Sequence, residues 1–153
     1  MSDTQQSAPD FTLPVTGGGE ITLSSMRPSP IVLFFYPRDD TSGCTIENEA
    51  FSALLPEFNA LGVKVYGISK DSIASHDKFM AKKDLTVPLL SDENSDVCEK
   101  FGVWKEKSMY GKTFMGIERS TFLIDAHGEI AKSWPKVKVP GHAEDVLAAV
   151  KAL

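Results

Sequence analysis

The sequence predicts an α/β fold: a central mixed β-sheet flanked by helices, with a hairpin near the N-terminus. Three observations carry this. The run Ile31-Val32-Leu33-Phe34-Phe35-Tyr36 is apolar on both faces, as a strand buried on two sides must be. A long stripe of apolar residues at helical spacing follows it, starting at Cys44. Strand and helix patterns then alternate toward the C-terminus, the plan of a sheet with helices on its faces. There is no repeat, low-complexity block or linker, so the 153 residues are expected to form one domain over 1–153.

The elements follow in order. Residues 1–9 read as a loosely ordered start. Phe11-Thr12-Leu13 and Ile21-Thr22-Leu23 alternate around Gly17-Gly18-Gly19, which predicts a hairpin. The helix from Cys44 to about Leu61 aligns Ile46, Ala50, Ala53, Leu54, Phe58 and Leu61, and Gly62 stops it. Pro56 lies inside and is expected to kink or split it, since its ring removes a hydrogen bond to the preceding turn. Val63–Ser69 is strand-like, and Asp71 or Ser72 caps a helix to about Lys83 that presents Ile73, Phe79 and Met80. Val87–Leu90 is a short strand whose Pro88 suggests an edge. Asn94 or Ser95 caps a short helix ending at Phe101-Gly102. Lys105–Lys112, with Tyr110, reads as a solvated loop, with a reductant's docking surface as the second reading. Ser120–Ile124 and Glu129–Trp134 are strands around the turn Asp125-Ala126-His127-Gly128. A last helix from about His142 places Val146, Leu147, Val150 and Leu153 on one face.

Composition narrows the function. The chain is 42% hydrophobic and 24% charged, as in a soluble globular protein. A net charge of −5 argues against nucleic acid or an anionic membrane as the main partner. The longest apolar run is far short of a membrane span, and the polar first residues lack the apolar core of a signal peptide. Two cysteines do not make a disulfide scaffold. A reducing cytoplasm is the expected location, where a special cysteine reads as chemistry.

That chemistry centres on Pro37-Arg38-Asp39-Asp40-Thr41-Ser42-Gly43-Cys44. Cys44 falls where a buried strand gives way to a helix start. Free backbone N–H groups and the positive end of the helix dipole favour an anion there, and a thiolate is the nucleophilic form. Gly43 lets the chain bend before the helix. Thr41 carries a hydroxyl able to donate to the sulfur or to accept from an incoming O–H. Pro37 has no N–H and offers an apolar shield. Glu47, expected in the first helical turn, suits the dipole and can hold an arginine. Arg119 directly precedes the strand Ser120–Ile124. If that strand neighbours Ile31–Tyr36, its permanently charged fork reaches the sulfur and stabilises charge on a leaving oxygen. His76, His127 and His142 read as structural. No metal-ligand cluster and no cofactor signature is visible, and the glycine run at 17–19 lacks the following helix of a phosphate loop.

The pattern Pro37-x3-Thr41-x2-Cys44, followed by Thr45-x-Glu47, resembles the active-site signature of peroxiredoxins. The flanks resemble the bacterioferritin-comigratory (PrxQ) branch, through Ala8-Pro9-Asp10-Phe11-Thr12-Leu13, Phe34-Phe35-Tyr36-Pro37, Gly67-Ile68-Ser69, Leu90-Ser91-Asp92, Gly102-Val103-Trp104 and Arg119-Ser120-Thr121-Phe122-Leu123-Ile124-Asp125. The resemblance implies a thioredoxin-like fold and thiol-dependent reduction of hydrogen peroxide and organic hydroperoxides, in antioxidant defence. It makes Cys44 the peroxidatic nucleophile, with Thr41 and Arg119 activating it and Pro37 shielding it. It implies an external thiol as reductant, whether thioredoxin, glutaredoxin or glutathione, and favours a monomer over a weak dimer.

The chain departs from the branch at its second cysteine. The position five after Cys44, where many members carry the resolving cysteine, is Glu49, and Ser72–Lys83 contains none. Cys98 is the other cysteine and the candidate resolver; a one-cysteine cycle, with Cys98 as a buried small hydrophobe, is the preferred expectation. Three other functions compete with this one. A thiol–disulfide oxidoreductase needs a paired cysteine, but Thr41 and Glu47 stand three residues either side of Cys44. A Cys–His hydrolase needs a histidine at the thiol. A peroxide sensor or redox-regulated holdase would use the same cysteine without fast turnover.

Overall fold

The computed structural model describes residues 6–153. Its strands are β1 (Gln6–Ser7), β2 (Thr12–Pro14), β3 (Glu20–Thr22), β4 (Ile31–Phe35), β5 (Lys64–Ser69), β6 (Leu89–Ser91), β7 (Trp104–Met109), β8 (Lys112–Ile117), β9 (Ser120–Ile124) and β10 (Glu129–Trp134). The helices are α1 (Ser42–Ala60), α2 (Ile73–Lys83), α3 (Val97–Lys100) and α4 (His142–Lys151). Six strands form one mixed sheet in the order β1-β10-β9-β4-β5-β6. β4 and β5 run parallel, as do β5 and β6, while β9 is antiparallel to β4. This is the expected α/β architecture, a thioredoxin-like sheet with β4 at its centre.

Strand pleating sorts the core into two layers. Val32, Phe34 and Tyr36 face Cys44, Phe51 and Phe58 of α1, Phe79 of α2, and Val146 and Val150 of α4. Ile31, Leu33 and Phe35 face Phe11, Leu13, Leu23, Cys98, Phe101 and Ile117. Every residue of β4 is buried, as its two-sided apolar run requires. Burial at about 25 cal/mol per Å2 of apolar surface makes these layers the main favourable term. The α1 layer is stitched by rings: Phe34 and Phe51 stack with centroids 4.4 Å apart. Gly67 in β5 is required by close approach, because a Cβ there would lie 2.7 Å from Leu89 Cδ2 and 2.8 Å from Phe34 Cζ.

Several boundaries differ from expectation. Residues 1–5 of the expected loose start lie outside the described residues. Gln6–Ser7 pair with β10, and the Ala8 N–H donates to Gly128 O at 2.9 Å, so order begins within that segment. Helix α1 starts two residues earlier than expected and runs unbroken through Pro56, whose side chain is exposed. Its buried face is rotated from the expected stripe. Cys44, Glu47, Asn48, Phe51 and Phe58 are buried, whereas Ile46 is 56% exposed and Leu61 46%. Two polar side chains thus occupy core positions, which apolar periodicity cannot register. α3 is preceded by Asp96, and it is the Asp92 carboxylate that accepts from the Val97 and Cys98 N–H groups. The stretch read as a solvated loop is a regular hairpin, β7 and β8 in register from Trp104↔Ile117 to Met109↔Lys112. Its residues are mostly exposed, which is why no buried alternation marks it.

Candidate active site

The site forms where β4 hands over to α1 and where β9 begins beside it. Ser120 pairs with Phe35 in the antiparallel register, so Arg119 enters level with Tyr36, the residue at which the chain leaves for Cys44. Adjacency of β4 and β9 is what brings residues 44 and 119 together.

Cys44 lies in the first turn of α1 and is 1% exposed. Arg119 Nη2 donates to Cys44 Sγ at 3.3 Å, and Nη1 donates to Glu47 Oε1 at 2.6 Å. One guanidinium fork is therefore shared between the sulfur and a carboxylate. Gly43 makes room for it, since a Cβ at that position would meet Arg119 Nη2 at 3.2 Å. Glu47 falls in the second turn of α1 rather than the first, because the helix begins at Ser42. Burial pushes its carboxyl up to about 7, against the pull of Arg119. Its Oε2 has no hydrogen-bond partner among the described residues. Asn48, fully buried beside it, donates from Nδ2 to Cys44 O at 2.9 Å and so fixes the cysteine's backbone.

Thr41 is the N-cap residue of α1, and its carbonyl accepts from Thr45 N at 2.8 Å. Its hydroxyl donates to Arg38 O at 2.9 Å, so its proton is directed to the backbone rather than to the sulfur. The lone pairs of that oxygen remain free to accept from an incoming O–H. Pro37 is half-buried at the end of β4, between Tyr36 and the loop.

The loop before Cys44 is anchored by a buried polar network that sequence reading missed. Tyr36 OH donates to Asp39 Oδ1 at 2.6 Å, and Ser75 Oγ donates to Oδ2 at 2.7 Å. His76 Nδ1 lies 2.8 Å from Asp39 Oδ2, and Nε2 lies 2.9 Å from Leu90 O. The Asp39 N–H donates to Asp71 Oδ2 at 2.9 Å. Burial raises the Asp39 carboxyl, but hydrogen bonds from His76 and Tyr36 outweigh it and hold the group below the usual carboxylate range. The ligand atoms of Asp39, Asp71 and His76 lie within 4.8 Å of one another, yet both Asp39 oxygens and Asp71 Oδ2 already accept from protein donors. The available signal was a serine and a histidine at positions 75 and 76, one helix turn in front of buried Phe79.

Cys98 is not at this site. It is fully buried in the opposite core layer, and burial, reinforced by Asp92, pushes its thiol well up. Trp104 belongs to that same layer, with Lys70 Nζ 4.9 Å from its ring centroid. His142 Nε2 lies 2.8 Å from Thr121 Oγ1, and burial lowers its ring to about 4.

A single thiol offered at a helix start, on this sheet and under a fixed guanidinium, places the chain among the thiol peroxidases. Comparison with known proteins gives the family. The model of the AhpC/TSA family matches residues 4–133. Peroxiredoxin Bcp of Xanthomonas campestris pv. campestris is 50% identical over 143 residues, 94% of this chain and 89% of that protein. Among solved structures, a PrxQ cysteine-to-serine variant from Xylella fastidiosa superposes with a TM-score of 0.89 at 42% identity, over 99% of this chain and 98% of that one. The Xanthomonas campestris bacterioferritin comigratory protein, studied for its alkyl peroxide reduction as trapped-intermediate and ligand complexes, gives 0.88 at 49% identity, over 93% and 90%. The chain belongs to the AhpC/TSA family, in the bacterioferritin-comigratory (PrxQ) branch of its peroxiredoxins.

Proposed function

We propose that Cys44 is the nucleophile of a one-cysteine peroxide-reducing cycle, acting on hydrogen peroxide and alkyl hydroperoxides. The observation that carries this is the 3.3 Å contact from Arg119 Nη2 to Cys44 Sγ. The thiolate attacks the terminal peroxide oxygen. An S–O bond forms, the O–O bond breaks, and its electron pair leaves with the departing oxygen, which takes a proton and departs as water or alcohol. The sulfur is oxidised to sulfenic acid and the peroxide is reduced. Arg119 offers fixed donors for the charge that develops on the leaving oxygen, Thr41 accepts from the substrate O–H, and Pro37 shields the thiolate.

The second half of the cycle uses an outside thiol. Cys44 and Cys98 belong to core layers on opposite faces of the sheet, and a disulfide needs Cα atoms within about 7 Å. An external thiolate therefore attacks the sulfenic sulfur, S–O gives way to S–S, hydroxide leaves as water, and a second thiol frees Cys44. Thioredoxin, glutaredoxin and glutathione are the reductant classes that fit. Every group at the site comes from one chain, so a monomer suffices, and a cycle that consumes thiol suits the reducing cytoplasm. Among the described residues no helix is long and apolar enough to cross a membrane.

Intact-mass analysis of peroxide-treated protein tests the cycle. The parent and Cys98→Ser should each gain one oxygen atom and turn over peroxide with a small thiol, whereas Cys44→Ser should do neither. An internal disulfide in the parent, together with an inactive Cys98→Ser, would make Cys98 the resolver.

A further inference from the structure

The Thr41 oxygen can accept from a substrate O–H only while its own proton is held elsewhere. That proton goes to Arg38 O at 2.9 Å. Arg38 O belongs to the same peptide unit as the Asp39 N–H, which donates to Asp71 Oδ2 at 2.9 Å. The 38–39 bond is trans. In a planar trans unit the N–H and the C=O point opposite ways, so fixing one end fixes the direction of the other. The Asp71 carboxylate thus sets where the Arg38 carbonyl meets the Thr41 hydroxyl. A carboxylate on the amide end also polarises the unit and makes its carbonyl a stronger acceptor.

Asp71 is itself held from the sheet. Ser69 Oγ, fully buried at the end of β5, donates to the same Oδ2 at 2.6 Å. Ser91 Oγ, at the end of β6, donates to Asp71 O at 2.6 Å. Ser69 and Ser91 are register partners in the parallel ladder, so the loop takes its position from two neighbouring strand ends. On the other side of the peptide, the Asp39 side chain is bound by Tyr36, Ser75 and His76. Asp40, at φ 60, then turns the chain so that Thr41 comes back over the Arg38 carbonyl. The hydrogen bonds of Asp71 go to Asp39, Ser69 and Ser91, so its influence on the sulfur's surroundings passes through the 38–39 peptide.

We propose that Asp71 is a positioning residue of the peroxide step, acting through the 38–39 peptide to keep the Thr41 oxygen an acceptor for the substrate O–H. This rests on the reading that Thr41 accepts from the substrate. Without the carboxylate the peptide is free to turn, the Thr41 proton loses its fixed partner, and the oxygen loses its direction.

Two reactions of Cys44 test this by rapid mixing. Hydrogen peroxide offers an O–H to Thr41; methyl methanethiosulfonate attacks the same sulfur with no donor to offer. Asp71→Ala should oxidise about tenfold more slowly, the worth of one hydrogen bond, while its methyl methanethiosulfonate rate stays within about twofold of the parent. Asp71→Asn, whose amide oxygen can still accept from the Asp39 N–H, should recover most of the loss. In a Thr41→Val background, Asp71→Ala should cost no further oxidation rate, because the hydroxyl it directs is gone. Circular dichroism checks the fold. Asp71→Ser, too short to reach the Asp39 N–H, carries the same expectations should Asp71→Ala not fold. Unchanged oxidation, parallel slowing of both reactions, or an undiminished loss in the Thr41→Val background would overturn the assignment. Failure of the underlying reading would look different: Thr41→Val alone would oxidise at the parent rate, and Asp71 would have nothing to direct.

Discussion

Replacing Arg119 by methionine removes the positive charge beside Cys44 while keeping most of the stem, and two effects combine in the outcome. The first is catalytic. Nη2 lies 3.3 Å from Sγ, within reach of the thiolate and, in the proposed cycle, of the oxygen that leaves as the O–O bond breaks. Loss of one fixed donor to a developing charge lowers a rate about 10²- to 10³-fold, ~2.7–4 kcal/mol. The second is structural. Glu47 loses the partner that Nη1 supplies at 2.6 Å, and its other oxygen has none among the described residues. Stranding a buried charge costs about 3–5 kcal/mol. Glu47 avoids most of that, because a carboxyl already lifted to about 7 takes up a proton once the guanidinium is gone. Arg119→Met should therefore fold, melt somewhat lower, and react slowly. Arg119→Lys should fall between, since an ammonium keeps the charge but cannot bridge sulfur and carboxylate as a fork does. Rapid mixing with hydrogen peroxide gives the oxidation rate, and thermal unfolding by circular dichroism gives the stability. A cooperatively folded Arg119→Met that oxidises within about threefold of the parent would refute the role given to this residue.

Two further outcomes follow from the same geometry. Because burial raises Glu47 from 4.5 to about 7, the folded state binds its proton more tightly than the unfolded chain; the stability this group contributes is fully present below 4.5 and is lost as pH rises through about 7. Urea unfolding across that window should show this slope in the parent and a flatter one in Glu47→Gln; superimposable profiles would exclude Glu47 as its source. Gly67→Ala forces a methyl against Leu89 and Phe34, so overpacking of about 1–3 kcal/mol should lower the melting temperature by roughly 2–12 °C, and an unchanged melt would show the core can yield there.

The order of elements was legible because β4, β5, α2, β9, β10 and α4 each carry a clear period and a stop signal. Cys44 was legible from the helix start that follows Ile31–Tyr36, and Arg119 on the condition, met in the sheet, that the strand from Ser120 lies beside that run. What stayed hidden has physical causes. The face of α1 was misphased because Glu47 and Asn48 occupy interior positions for the sake of Arg119 and the Cys44 backbone, while Ile46 is left in solvent. The β7–β8 hairpin was missed because neither of its faces is buried along its length, so lysines stand where a packed strand would show valines. The direction of the Thr41 hydroxyl toward Arg38 O depends on a loop conformation held by Tyr36, Asp39 and His76, whose contacts span up to 40 residues of sequence.

The placement of the two sulfurs on opposite sides of the sheet has a consequence under stress for the one-cysteine cycle proposed above. In that cycle an oxidised Cys44 has no intramolecular exit, so its lifetime depends on how fast reductant arrives. When peroxide outruns that supply, a second oxidant molecule meets the sulfenic acid before a thiol does, and the sulfur passes to the sulfinic state. The ratio of oxidant to thiol around the protein thus decides whether it turns over or shuts itself off, a self-limiting behaviour that a cysteine beside Cys44 would have prevented.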